Sequence, residues 1–221
     1  MSRKQRIYLS ILSGLLFVPA WYQWGSGLFL FIAFIPMLFV EADLVRSGKR
    51  TREFFLLPYL TFFIWNVLTT WWIKNASFAG LITALVVNSL FMTIPFWLFS
   101  LTHRKLGNSF GYFSLLFYWV AFEYFYLNAE ISWTWLNLGN GFANHIKMIQ
   151  WYEFTGVLGG TFWVLSINLL LFKALSKYLQ TKSPRYSLVE FTTAIILLIV
   201  PIVSSQVIFR NYEEKVNPYN I

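Results

Sequence analysis

The sequence predicts an all-α, polytopic membrane protein: a bundle of about seven transmembrane helices with an interfacial segment on its outer face. Three observations carry this. Hydrophobic residues make up 57% of the 221 and charged residues 12%, and mean hydropathy is +0.58, too little polar surface to coat one water-soluble core. The apolar residues recur as runs long enough to cross a hydrocarbon core of about 30 Å. The basic residues fall in the gaps and favour alternate gaps.

Taken in order, the spans are placed near 6-22, 27-44, 53-73, 78-101, 110-127, 157-177 and 187-209. Together they form one bundle over 1-209, followed by an outward-facing tail at 210-221. In the first, Arg3, Lys4 and Arg6 precede an apolar run ending at Val18-Pro19-Ala20, the outline of a secretory signal. No small-x-small cleavage site follows, so the run is read as an uncleaved helix. The aromatic join Trp21-Tyr22-Gln23-Trp24-Gly25-Ser26-Gly27 suits a tight turn at the membrane interface. Gly156 and Gly160 form a small-x-x-x-small pair opening the sixth helix, read as a packing contact. Ser187 followed by Glu190 predicts a capping box at the start of the seventh.

Thirteen of the 17 Lys and Arg residues lie at the N-terminus and in the segments 44-53, 102-109 and 173-186, on one side of these spans. Lys74, Lys147, Arg210 and Lys215 lie on the other. The positive-inside rule therefore places the N-terminus in the cytoplasm and the C-terminus outside. The net charge of +8 follows the membrane and forms no nucleic-acid patch. There is no cysteine, hence no disulfide, thiolate metal site or cysteine nucleophile among these residues. His103 and His145 each lack a second ligand at helical or loop spacing, so neither a metal nor another cofactor is expected.

The segment 128-155 behaves like neither a span nor a plain loop. Its core, Ser132-Trp133-Thr134-Trp135-Leu136-Asn137-Leu138-Gly139-Asn140, is too polar to cross and too rich in tryptophan to be freely solvated. It reads as an interfacial or re-entrant element packed on the outer face. Glu123 and Glu153 flank it. A carboxylate near the bilayer invites a functional reading, yet nothing in the sequence makes the two converge as an acid-base pair. The 47 aromatic residues (24 Phe, 12 Tyr and 11 Trp) are explained first by interfacial belts, with a lipid-binding groove as the sharper alternative. The sequon Asn75-Ala76-Ser77 is short enough to arise by chance.

Several ordered runs resemble the membrane domain of the apolipoprotein N-acyltransferase family. They are Phe34-Ile35-Pro36-Met37-Leu38, Trp71-Trp72, Phe122-Glu123-Tyr124, the 132-140 run, Gln150-Trp151-Tyr152-Glu153-Phe154-Thr155-Gly156-Val157-Leu158-Gly159-Gly160 and Ile167-Asn168. The family consists of inner-membrane enzymes of Gram-negative bacteria that acylate the N-terminal cysteine of lipoproteins. One departure is Thr134, where the family usually has proline. The other is that members carry, after the last of these helices, a nitrilase-like domain whose Glu, Lys and Cys form the acyl-enzyme, whereas this sequence stops at Ile221.

The resemblance therefore implies a supporting role in acyl transfer from phospholipid to lipoprotein, with no catalytic residue to carry over and the bundle inactive alone. Its implied partners are membrane phospholipid, the lipoprotein substrate and a nitrilase-like domain, encoded separately or lost by truncation. The residues expected to shape an outer-face lipid or interdomain platform are Glu123, Trp133, Trp135, Asn137, Gly139, Gln150 and Glu153. The alternatives are a lipid-binding or transport protein that does no chemistry, and a structural assembly partner. No convincing repeat relates the two halves, as a transporter would usually show.

Overall fold

The structure, a computed structural model, describes residues 1–48, 51–130 and 133–212, and no strand occurs among them. The part of the expected tail beyond Tyr212 lies outside the described residues. Helix α1 (Arg3–Phe17) starts from a capping box that composition did not announce: Ser2 Oγ accepts from Gln5 N at 3.2 Å while Gln5 Oε1 accepts from Ser2 N at 2.8 Å. The helix tightens into a 3-10 turn over Val18–Trp21, where Pro19 falls.

The second span is broken. A 3-10 turn (Gly27–Phe29) leads into α2 (Leu30–Ala33), and α3 (Ile35–Arg46) restarts with Pro36 in its first turn. Proline donates no hydrogen bond, so the ladder opens here, and within a bilayer the freed groups need partners from elsewhere in the protein. Asn168 of α7 (Tyr152–Thr181) supplies them. Its Oδ1 accepts from Phe34 N at 2.9 Å and its Nδ2 donates to Leu30 O at 2.7 Å, while Ser13 Oγ donates to Ala33 O. Two runs that looked alike in kind in the sequence, Phe34–Leu38 and Ile167-Asn168, are thus halves of one repair.

Next come α4 (Thr51–Thr70), a 3-10 turn (Trp71–Asn75) and α5 (Phe78–Thr83). Ser77 caps α5 by accepting from Gly80 N at 3.0 Å, which gives the end of the sequon a structural task. A π turn (Ala84–Asn88) then enters α6 (Ser89–Asn128). This is no single rod. Gly107, at φ 73 and ψ −173, reverses the chain. Asn88 and Tyr126 would stand about 57 Å apart on a straight helix, but Tyr126 Oη donates to Asn88 Oδ1 at 2.9 Å. The hydroxyls of Thr102 and Tyr118 lie 2.9 Å apart. The α6 hairpin thus turns inside the expected 102-109 loop, and its second limb occupies the stretch expected as the fifth span.

The count of spans differs from the expected seven. Among the described residues five helical stretches are long and apolar enough to cross a membrane: Gly27–Arg46, Arg52–Asn75, Phe78–Asn108, Tyr152–Thr181 and Pro184–Asn211. The first helix is outside the set because Arg3, Lys4 and Arg6 crowd its start. The second limb of α6 is outside the set as well; it carries Glu123 and several tyrosines among its apolar residues.

Helix α8 (Leu188–Asn211) corrects a second expectation. Ser187 is itself helical and makes no capping bond. Its Oγ donates to Pro184 O at 3.0 Å, and Glu190 turns away to pair with Lys177. The capping box predicted for these two residues does not form, because the 3-10 turn Pro184–Ser187 already continues into the helix.

Many aromatic residues lie inside the bundle, where neither interfacial belts nor a lipid groove would put them. Phe17 stacks on Trp65 at 4.4 Å and meets Phe34 edge-on at 4.8 Å, and Trp119 closes on Phe34 at 5.0 Å and on Phe62 at 5.3 Å. Among lipid tails, helix association rests on such packing and on buried polar bridges. One bridge joins three elements: Asn88 Nδ2 donates to Asn66 Oδ1 at 2.7 Å and, through Oδ1, Asn88 accepts from Tyr126.

The two ends of the bundle differ in chemistry. At one, the N-terminal ammonium and Arg6 Nε both reach Asp43 at 2.8 Å, Arg6 Nη1 reaches Glu53 at 3.0 Å, and His103 Nδ1 meets Glu41 at 2.8 Å. At the other lie Trp21, Trp72, Trp133 and Trp135. The basic segments grouped by sequence share the first end.

Candidate functional site

The aromatic end is closed by the segment between α6 and α7, which folds as two 3-10 turns, Thr134–Leu136 and Leu138–Met148. Its short turns leave backbone amides without helical partners, and Glu123 takes one of them. The carboxylate is 1% exposed. Oε1 accepts from Leu138 N and from Trp119 Nε1, each at 2.9 Å, and Oε2 accepts from Thr161 Oγ1 at 2.5 Å. A buried carboxylate is tolerated when its lone pairs are met in this way.

Thr161 passes the connection on, because its Oγ1 also accepts from Gly139 N at 3.2 Å. Tyr152 Oη donates to Gly139 O at 3.1 Å. Gly139 lies so close to α7 that a Cβ would strike the carbonyl of Val157, and a Cβ on Gly160 would stand 3.0 Å from Gly139 Cα. The small-x-x-x-small pair therefore divides: Gly160 permits this crossing, whereas Gly156, at φ 65 and with open space around it, serves a bend in α7.

The first turn of the protein meets the segment from the other side. Trp21 Nε1 donates to Trp135 O at 3.0 Å, and Asn144 Nδ2 donates to Tyr22 O at 2.9 Å. Trp72, from the Trp71–Asn75 turn, lies 6.2 Å from Trp133 and 6.0 Å from Trp135. His145 Nε2 is 3.3 Å from Ser26 Oγ. Trp135, Trp72, Trp71 and Trp24 are 54%, 41%, 48% and 79% exposed, making an apolar rim around a pinned floor.

The structure thus brings Glu123 and Gly139 together through Thr161, with Trp133 and Trp135 on the same closing segment. Asn137 is buried, and its Nδ2 has no partner among the described residues. Gln150 and Glu153 stand apart, at the segment's exit into α7. Gln150 Nε2 donates to Ile146 O at 2.8 Å, and Glu153 is exposed. The two glutamates therefore differ in kind, one a buried anchor and the other a surface group. Sequence reading missed Thr161 and Trp119, whose partners lie across the fold, and Trp21, which stood in the aromatic join but showed no sign of its target. Among the described residues no three His, Asp or Glu side chains converge as a metal would require.

A helical bundle with, among the described residues, five stretches long and apolar enough to span a membrane, closed at one end by a tryptophan-rich segment pinned through a buried glutamate, defines a multi-pass membrane protein. The profile of the apolipoprotein N-acyltransferase N-terminal domain matches residues 13–170, and the chain belongs to that family. It is 28% identical over 207 residues to the apolipoprotein N-acyltransferase of Chlorobaculum tepidum, covering 92% of this chain and 38% of that protein. The chain thus spans well under half of its relative's length. No solved structure matches it significantly.

Proposed function

We propose that this bundle is the membrane-embedded part of an apolipoprotein N-acyltransferase, supporting transfer of an acyl chain from phospholipid to the N-terminal cysteine of a lipoprotein. It resides in the bacterial inner membrane with the N-terminus cytoplasmic and the aromatic end outward, as its excess of positive charge at the opposite end favours. The observation that carries the reading is the Glu123-pinned segment, a rigid, partly apolar floor in a chain of this family. That floor would bear a nitrilase-like domain while Trp24, Trp72 and Trp135 sit at headgroup level, where amphipathic rings are favoured. Phospholipid and lipoprotein would then enter from the side.

These 221 residues contain no cysteine, so a thioester intermediate would need a nucleophile from outside them. The test is lipoprotein N-acylation by the purified chain with phospholipid and diacylated lipoprotein, with and without an added nitrilase-like domain. Activity only with that domain is expected. Activity of the chain alone would overturn the supporting role, and none in either arm would favour a lipid-binding or assembly protein.

A further inference from the structure

At the basic end, away from the aromatic floor, a cavity of about 590 Å³ opens between α3, the α6 turn, α7 and α8. His103 and Tyr112 line it, His103 held to Glu41 on one side and to Asn108 Oδ1 at 2.9 Å on the other. Arg46, Lys173 and Lys177 also line it, with Glu190 as the acidic member. Glu190 is engaged by Lys177. Among the described residues neither Arg46 nor Lys173 has an acidic partner within 4.0 Å. Three cations thus share one carboxylate in this recess, and two of them make no direct ion pair.

Lys173 also lines a second, apolar groove of about 400 Å³, walled by Phe110 and Phe113 of α6, Phe162 and Leu170 of α7, and Leu197 of α8. Phe110, Phe113 and Phe162 are 72%, 51% and 48% exposed. From Lys173 back to Phe162 is about 16 Å of helix rise. That matches one leaflet of a hydrocarbon core about 30 Å thick. A polar, cationic recess and a leaflet-deep apolar groove therefore share one lysine. This is the outline of an anionic amphiphile, not of a free phosphate, which would use only the recess, nor of a neutral lipid, which would leave Arg46 and Lys173 unmatched.

We propose that the protein carries a structural site for an anionic phospholipid at this end, its phosphate between Arg46 and Lys173 and one acyl chain in the groove. The site is separate from the outer-face platform and does not depend on the acyltransfer reading. Bound there, the lipid meets α3 and α7 through its phosphate and α6, α7 and α8 through its chain.

Native mass spectrometry of the purified chain in detergent, titrated with phosphatidylglycerol, phosphatidylcholine or glycerol phosphate, tests it. Phosphatidylglycerol should bind in preference to phosphatidylcholine, and R46Q and K173Q should each cut that preference about fivefold. The variant S166F, which fills the groove beside Leu170, should weaken phosphatidylglycerol without restoring phosphatidylcholine. K74Q, the same charge removed at the far end, should leave the preference intact. Equal binding of the two lipids, equal loss in K74Q, or full-strength binding of glycerol phosphate would each overturn the proposal.

Discussion

Thr161 Oγ1 lies between Glu123 and Gly139, donating to the carboxylate at 2.5 Å and accepting from the glycine amide at 3.2 Å. One hydroxyl therefore couples the second limb of α6, α7 and the closing segment. Glu123→Leu strips the acceptor from three buried donors, each costing about 1–3 kcal/mol when orphaned. A large fall in melting temperature in detergent is expected. Glu123→Gln keeps Oε1 as acceptor and lets Thr161 turn to receive the amide, so most stability should remain. If Glu123→Gln abolished acylation by the assembled system at unchanged melting temperature, anchoring would not be the residue's whole task.

The two classes of glycine in α7 and the segment make a paired test. Gly139→Ala drives a methyl into the Val157 carbonyl and should lift the segment off α7, a backbone clash that side-chain repacking cannot relieve. Gly156→Ala meets nothing within 4 Å but must hold φ 65 and ψ −172, a region nearly confined to glycine, at about 1–3 kcal/mol. Thermal unfolding should rank Gly139→Ala as the worse. Quenching of tryptophan fluorescence by a water-soluble quencher should rise only in Gly139→Ala, where the ring contacts of Trp133 and Trp135 loosen.

At the basic end, Arg6 is 5% exposed and bonds Asp43 and Glu53, whereas Lys4 is exposed. Removing the guanidinium in Arg6→Met loses charged hydrogen bonds to two carboxylates, about 2 kcal/mol after allowing for the solvent reaching Glu53. Lys4→Met should fall within about 0.5 kcal/mol of the parent. Comparable losses in the two variants would show that the Arg6 network contributes nothing specific.

Because the sequence has no cysteine, sidedness can be read from single introduced thiols. Ser47→Cys and Ala76→Cys are exposed at opposite ends of the bundle. In intact inner-membrane spheroplasts, an impermeant maleimide should label Ala76→Cys and should reach Ser47→Cys only after permeabilisation. The reverse pattern would invert the proposed orientation.

Much of this architecture was legible in the sequence because membrane helices declare themselves by run length and charge, both local properties. The turn near Gly107 and the irregular 128-155 segment were visible for that reason. Contacts between distant positions were not. Glu41 and His103 lie far apart in the chain, as do Asn88 and Tyr126, and nothing in hydropathy says which polar residues meet inside the bundle. The interior aromatic cluster was hidden for a related reason: in lipid, an apolar residue facing inward and one facing outward have the same composition. The Ser187 capping box failed because a 3-10 turn ahead of α8 removed the need for it.

The closing segment takes its restraints from both sides of itself in the chain. Trp21, Tyr22 and Glu123 are synthesised before it, but Tyr152, Thr161 and Gln206, whose Nε2 donates to Lys147 O at 2.8 Å, come after. During biogenesis residues 133-148 must therefore wait at the membrane surface, loosely tethered, until α7 and then α8 have inserted. The aromatic end of this protein is finished last, and a failure of either late helix to insert would leave it open while the earlier helices remain in the membrane.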